Sequence, residues 1–260
     1  MRTACFVTLV MCAVLAPVDR PALAQSEPDE RALAQQLLGT DRRARAAAFQ
    51  AARTIGARAV GPELRAALIA LLERQNRLVA EVTRRGGIVA DYEDPEFMAA
   101  LARFVAELQD PAAIPVLAEA VDGGLPVIRA LARFGERAVP ALVAVAASAD
   151  RHYTEVDHAL RALRFIVEDP GSHPLSTRAR EAVRVVVRAR LTGTPYFTTL
   201  WQAIDLAAAL DDPELMAIVT ALAHDTREVM ARGVTDPELV RRTQELARDR
   251  LAGFPPQPRR

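Results

Sequence analysis

Apolar residues return at steps of three and four along almost the whole chain, the spacing that lines one face of an α-helix. In "DPEFMAALARFVAEL" (94–108), Phe97, Leu101, Phe104 and Leu108 form one stripe, with Met98 and Val105 beside it. "PELRAALIALLERQNRLVAEV" (62–82) carries Leu64, Leu68, Leu71, Leu78 and Val82 on a similar stripe, interrupted by Gln75. The run "AVRVVVRAR" (182–190) has the β-branched residues of a strand, but its length and its helical company place it in a helix. The pattern predicts helices near 27–38, 41–55, 62–85, 95–108, 111–121, 126–134, 139–147, 152–167, 176–191, 196–210 and 213–231, with a twelfth at 237–252. Short connections between them predict antiparallel helical hairpins. The longer "GGIVADYED" (86–94) and "DPGSHPLST" (169–177) read as seams in the stack.

Helix starts carry a recurring phrase. "DPE" stands at 94–96, 212–214 and 236–238, and "DPA" at 110–112. In Asp94, Pro95 and in Asp110, Pro111 the acid offers an oxygen to the orphan amides of the first turn, and the proline needs no amide at the first helical position. Glu in that turn complements the helix dipole. These aspartates therefore have a structural task.

A second phrase is spelled twice. "IGARAVGPELRAA" (55–67) returns as "FGERAVPALVAVA" (134–146): Gly56 and Gly135 end one helix, the chain turns, and Pro62 and Pro140 open the next. Paired helices with a recurring connection predict units that bury their faces only by stacking on neighbours. "TDRRARAAAFQAARTIGARAVGPEL" (40–64) resembles a HEAT-like repeat of the bilin-lyase class, and "DPAAIPVLAEAVDGGLPVIRALARFGERAVPALVAVA" (110–146) is similar over nearly two helix pairs. The resemblance implies a right-handed all-α solenoid of eleven or twelve helices. It also implies that the turn Asp41 and helix-start Arg45, with Asp122 and Arg129 as a second pair, join neighbouring repeats. Asp122 to Gly135 is about one turn shorter than the pattern, and Gly61 is inserted before Pro62, so irregular curvature is expected.

Composition adds a compartment. Arg2, the apolar "ACFVTLVMCAVLA" (4–16), too short to span a bilayer, and "ALA" (22–24) have the layout of a secretory signal cleaved after Ala24. Met11 is bulky where a lipoprotein site before Cys12 wants a small residue. The expected organisation is a signal at 1–24, one solenoid domain over 25–252, and a disordered Pro-rich tail at 253–260. The destination is periplasmic or secreted. Both cysteines leave with the signal, so packing must supply the stability. What remains has 31 basic and 32 acidic residues, a balance that argues against nucleic acid as partner. All 33 basic residues are arginine.

Catalytic signals are weak. Glu155 and His158 lie one helical turn apart, and His224 and Glu228 four residues apart, but the further carboxylates of a di-metal bundle are not evident. No mature cysteine and no "GxSxG" is present, and the "GG" pairs lack a strand-loop-helix context. No catalytic residue, metal ligand or cofactor is therefore assigned. Charge falls in blocks: basic at 41–85 and 161–190, acidic at 91–110 and 204–245. Arg180, Arg184 and Arg188 line one helical face, and they either meet the acidic block within the fold or face an anionic partner. "TPYFTTLW" (194–201) concentrates aromatics in a chain poor in them: Phe197 and Trp201 share a helical face, the usual mark of core, and the alternative is that Tyr196 and Trp201 offer an exposed aromatic surface to a partner. The expected function is a non-catalytic scaffold that binds another protein, with no membrane span in the mature chain. The alternative is an enzyme or enzyme partner like the bilin-lyase-associated HEAT proteins. A HEAT-type DNA glycosylase fits poorly with export and balanced charge.

Overall fold

The computed structural model describes residues 29–85, 93–169, 174–194 and 196–253, and the side chains of these except 82–85. The expected signal, most of the 86–94 seam, part of the 169–177 seam and nearly all of the 253–260 tail lie outside the described residues. Thirteen α-helices and no strand occur among the described residues. They are α1 (Glu30–Leu38), α2 (Arg42–Ile55), α3 (Pro62–Arg85), α4 (Pro95–Glu107), α5 (Ile114–Glu119), α6 (Leu125–Arg133), α7 (Val139–Ala147), α8 (Tyr153–Glu168), α9 (Thr177–Gly193), α10 (Phe197–Leu210), α11 (Pro213–His224), α12 (Thr226–Met230) and α13 (Pro237–Ala252).

The helices alternate between two layers. In the first, α1, α3, α5, α7, α9 and α11 each pack on the next. In the second, α4 packs on α6, α6 on α8, α8 on α10, and α10 on α13. Phe49 of α2 joins this layer by meeting Phe97 and Phe104 of α4 edge-on, with ring centroids 5.1 and 5.8 Å apart. Across the layers the partners are α1 with α2, α3 with α4, α5 with α6, α7 with α8, α9 with α10, and α11 with α13. The chain is thus an all-α solenoid, each pair meeting chiefly its neighbours. Leu37, Leu64, Leu71, Leu101, Leu131 and Leu160 are among the fully buried residues of the shared core. The β-branched 182–190 run lies within α9, where Val183, Val186 and Val187 point inward.

The starts follow from caps. Asp29, Asp41, Asp94, Asp212, Asp225 and Asp236 each accept a first-turn amide, and Ser176 does so for α9. Asp110 caps a single 3₁₀ turn, 111–113, that leads into α5. Two predicted helices differ from the observed ones. The 111–121 segment yields only the six residues of α5, flanked by 3₁₀ turns. The 213–231 segment breaks at Asp225, whose extended backbone (φ −116°, ψ 112°) and carboxylate start α12 afresh.

Bonds between neighbouring units show that the repeats are unequal. Within the second layer, from α8 onward, they recur at separations of 41–45 residues: Arg164 to Asp205, Asp157 to Thr199, Trp201 to Thr243, and Asp205 to Arg250. Around the short α5 and α6 the spacing contracts to 32 for Glu119 with Arg151 and 36 for Asp122 with His158. At the N-terminal end it widens to 48, between Arg45 and Glu93.

That last pair is buried. Arg45 has no exposed surface, and Glu93 is 7% exposed. One guanidinium nitrogen of Arg45 bonds Glu93, and another donates to the Gly39 carbonyl at 2.8 Å, at the end of α1. The Glu93 amide in turn donates to Gln75 Oε1 at 3.1 Å. Gln75 therefore interrupts the α3 stripe because it binds the backbone ahead of α4.

Two outcomes follow for stability. Arg45→Met strands the Glu93 carboxylate without its guanidinium, and denaturant unfolding should show a loss of about 3–5 kcal/mol, partly restored by adding Glu93→Gln. A loss below about 1 kcal/mol would mean the pair is solvated. Gly56 holds φ 86° and ψ 142° with open space around its missing Cβ, so Gly56→Ala should cost about 1–3 kcal/mol through backbone strain alone. No change in the unfolding midpoint would show that the turn relaxes.

Candidate functional site

The residues expected to meet a partner fall on two helices of different layers. Arg180, Arg184 and Arg188 lie on α9, in the first layer, where the N-terminus of α11 stands beside them. Arg180 donates to the Leu210 carbonyl at the end of α10. Arg184 reaches Asp212 at 3.2 Å, Glu214 at 2.6 Å and its own helix's Glu181 at 3.0 Å. Arg188 meets Glu214 at 3.4 Å and is the most exposed of these ion-paired side chains on α9. Hydrogen bonds and the attraction of Glu181 and Glu214 raise the Arg184 pKa further above its ordinary value. The line is therefore compensated by the acidic block inside the fold.

Trp201 sits half-buried on α10. Its indole donates to Thr243 of α13 at 2.8 Å, and its ring meets Phe197 edge-on at 5.1 Å. Its polar edge is thus spent joining two units. Tyr196 is 49% exposed. It stacks on Tyr153 of α8 at 4.8 Å, and Tyr153 in turn contacts His152 at 4.4 Å. Sequence spacing does not join Tyr153 and Tyr196, which become neighbours only when α8 and α10 pack.

The residues assigned to repeat geometry stand at helix boundaries. Asp41, Asp94 and Asp110 cap, Pro62, Pro95 and Pro111 open their segments, and Pro140 is the second residue of α7. Gly56 and Gly135 both have positive φ, 86° and 58°. Of the residues expected to bridge repeats, Arg45 and Asp122 do so. Asp122 accepts from Thr154 at 3.2 Å and meets His158 Nδ1 at 3.1 Å. Asp41 instead caps its own helix, with Arg43 and Ala44 donating to it. Arg129 is exposed on α6, and no described carboxylate lies within 4.0 Å of it.

Among the described residues no three His, Cys, Asp or Glu side chains converge as metal ligands. Glu155 is engaged by Arg151 at 3.4 Å and by the His152 amide at 3.1 Å, and Glu228 by Arg232 at 2.6 Å. No described helix is long and apolar enough to cross a membrane.

Two adjoining depressions mark the second layer. One, of about 820 Å³, runs between α2 and α4 past Arg53, Gly56, Pro95, Glu96, Ala99 and Phe104. The other, of about 300 Å³, lies between α4 and α6 and is bordered by Leu125, Pro126, Arg129, Ala130 and Arg133. Arg103 and Glu107 line both, so they form one furrow across three helices. Its floor is mainly small or aliphatic and its rim is charged. Arg53, Arg103, Arg129 and Arg133 are exposed, and among the described residues no carboxylate comes within 4.0 Å of them. Arg53 bonds only Gln50, and Arg103 only the Ala99 carbonyl, among their described polar contacts. The furrow joins residues from three helices up to 80 positions apart, so no window of sequence displays it.

No family model matches the chain, and no curated protein matches it. A solved crystal structure described as an engineered protein aligns over 86% of this chain and 97% of its own, at 20% identity and a TM-score of 0.36. A likeness of that depth carries no argument about fold or function.

The packing of the α9 arginines generates a prediction. Replacing Arg180, Arg184 and Arg188 together with Gln removes a cap from α10 and three ion pairs at α11, so thermal unfolding should move to lower temperature by several degrees. An unchanged midpoint would show that these contacts contribute nothing and free the line for another purpose.

Proposed function

We propose that the protein is an exported HEAT-like scaffold that binds another protein on the open face of its second layer. The observation that carries this reading is the furrow across α2, α4 and α6: an extended, shallow surface with four exposed guanidinium groups unmatched by any described carboxylate. Solenoids present long surfaces of this kind to partner chains. A small-molecule site would instead enclose its ligand with convergent polar groups. The export part of the proposal rests on the layout of residues 1–24, with cleavage after Ala24.

Affinity capture from the native periplasm or medium tests it. The mature chain, with an intact mass that begins at Gln25, should retain a stoichiometric protein partner. Loss of that partner on replacing the furrow arginines with Gln would place the contact. Recovery of a turned-over small molecule with no protein partner would overturn the scaffold reading in favour of an enzyme. Full-length or lipid-modified chain would overturn the cleavage site.

A further inference from the structure

We infer that the occupant of the furrow is an extended, acidic polypeptide segment of the partner; the inference rests on the scaffold reading above. Arg53, Arg103, Arg129 and Arg133 face solvent along the furrow, against Glu96 and Glu107. The excess is positive, and the guanidinium fork matches a carboxylate in two parallel hydrogen bonds. Elsewhere on the solenoid comparable arginines already hold carboxylates: Arg164 with Asp205, Arg184 with Asp212 and Glu214, and Arg241 with Glu238 and Glu245. The furrow gathers four arginines for which that complement is missing among the described residues, so charge complementarity defines the ligand.

Two observations favour a polypeptide over another polyanion. Glu96 and Glu107 interrupt the basic track, which penalises a uniformly charged phosphodiester chain, whereas a peptide can offer them backbone amides. The floor of Ala99, Ala100, Ala106 and Ala130 leaves room for the alternating side chains of an extended segment. Three neighbouring helices span ~16–20 Å between outer axes, a distance that about six extended residues cover.

The test measures fluorescence anisotropy of labelled peptides of about twelve residues on the mature chain, a length that overhangs the furrow at both ends. One peptide alternates Glu and Ala, its counterpart Gln and Ala, and a thymidine oligonucleotide of similar length serves as a different polyanion. The acidic peptide should bind, weakening as ionic strength rises, and the Gln peptide should bind at least about tenfold more weakly. Arg103→Gln/Arg129→Gln/Arg133→Gln should weaken the acidic peptide by about tenfold or more while leaving helicity unchanged. Arg241→Gln/Arg242→Gln/Arg248→Gln on α13 removes the same charge elsewhere and should have little effect. Equal binding of both peptides, equal loss in the α13 variant, or tighter binding of the oligonucleotide would overturn the inference. A native partner that still requires the furrow, combined with no binding of the acidic peptide, would overturn the inference and leave the scaffold reading standing. Failure to capture any protein would sink that reading by itself.

Discussion

Every α-helix ends with four carbonyls that its own backbone cannot satisfy, and stacking helices in two layers brings many such ends close to the core. This solenoid meets that constraint with guanidinium groups from other helices. Arg74 reaches Leu38 at the end of α1, Arg65 reaches Leu108 beyond α4, and Arg190 reaches Ala146 and Ser148 at the end of α7. Arg232 does the same for Leu191 in α9 and Arg180 for Leu210 in α10. Each bond satisfies an acceptor, places positive charge at the negative end of a helix dipole, and fixes the offset between units. Burial of the guanidinium in this setting is visible in Arg190, whose pKa is lowered by desolvation. A planar group with five donors can hold two carbonyls at once, as Arg190 does, which an ammonium on a flexible stem does less well. The arginine-only basic complement of the chain is well suited to this use.

The same caps divide the charged residues into those spent on architecture and those left over. Arg180, Arg184, Arg188 and Arg190 on α9 and the arginines of α13 find carboxylates or carbonyls within the fold, and the blocks of charge seen along the chain become bands that meet. Glu238 illustrates how closely: bonds from Arg241 and Arg242 hold its carboxyl down to about 2. Along the furrow over α2, α4 and α6, Arg53, Arg103, Arg129 and Arg133 meet no described carboxylate. The shortness of α5 and α6 belongs to the same region, where the offset between units contracts before returning to its longer value.

Much of the architecture was legible because it is written locally. The bounds of α3, α7 and α13 follow from Pro at the start and from apolar periodicity, and the Asp-Pro phrases mark starts whichever layer the helix joins. Positive φ at Gly56 and Gly135 is why one phrase occurs twice. Illegible features are those that need two distant segments. Nothing near Arg45 points to Glu93, and Gln75 reads as a flaw in a stripe until Glu93 donates to it. The break at Asp225 was hidden because the apolar pattern runs on through it, while the carboxylate starts a new helix. Trp201 was legible as core beside Phe197 or as surface, but its buried acceptor, Thr243, lies 42 residues away on another helix. The α9 line was legible as a pair of alternatives, and Glu214 with Asp212 provides the internal one.

Asp205 has a wider consequence. Its two oxygens are held by Arg164 of α8 at 2.5 Å and by Arg250 of α13 at 2.7 Å, so one carboxylate on α10 links three successive helices of a layer. In a stack where each unit meets chiefly its neighbours, stability is a sum of unit and interface contributions, and the grip of each interface sets how far a local opening spreads. A shared carboxylate makes two interfaces interdependent: parting α13 from α10 loosens the grip of α10 on α8. The C-terminal units are thereby tied into one cooperative block, and a chain pulled from that end yields in a single larger step rather than one helix at a time.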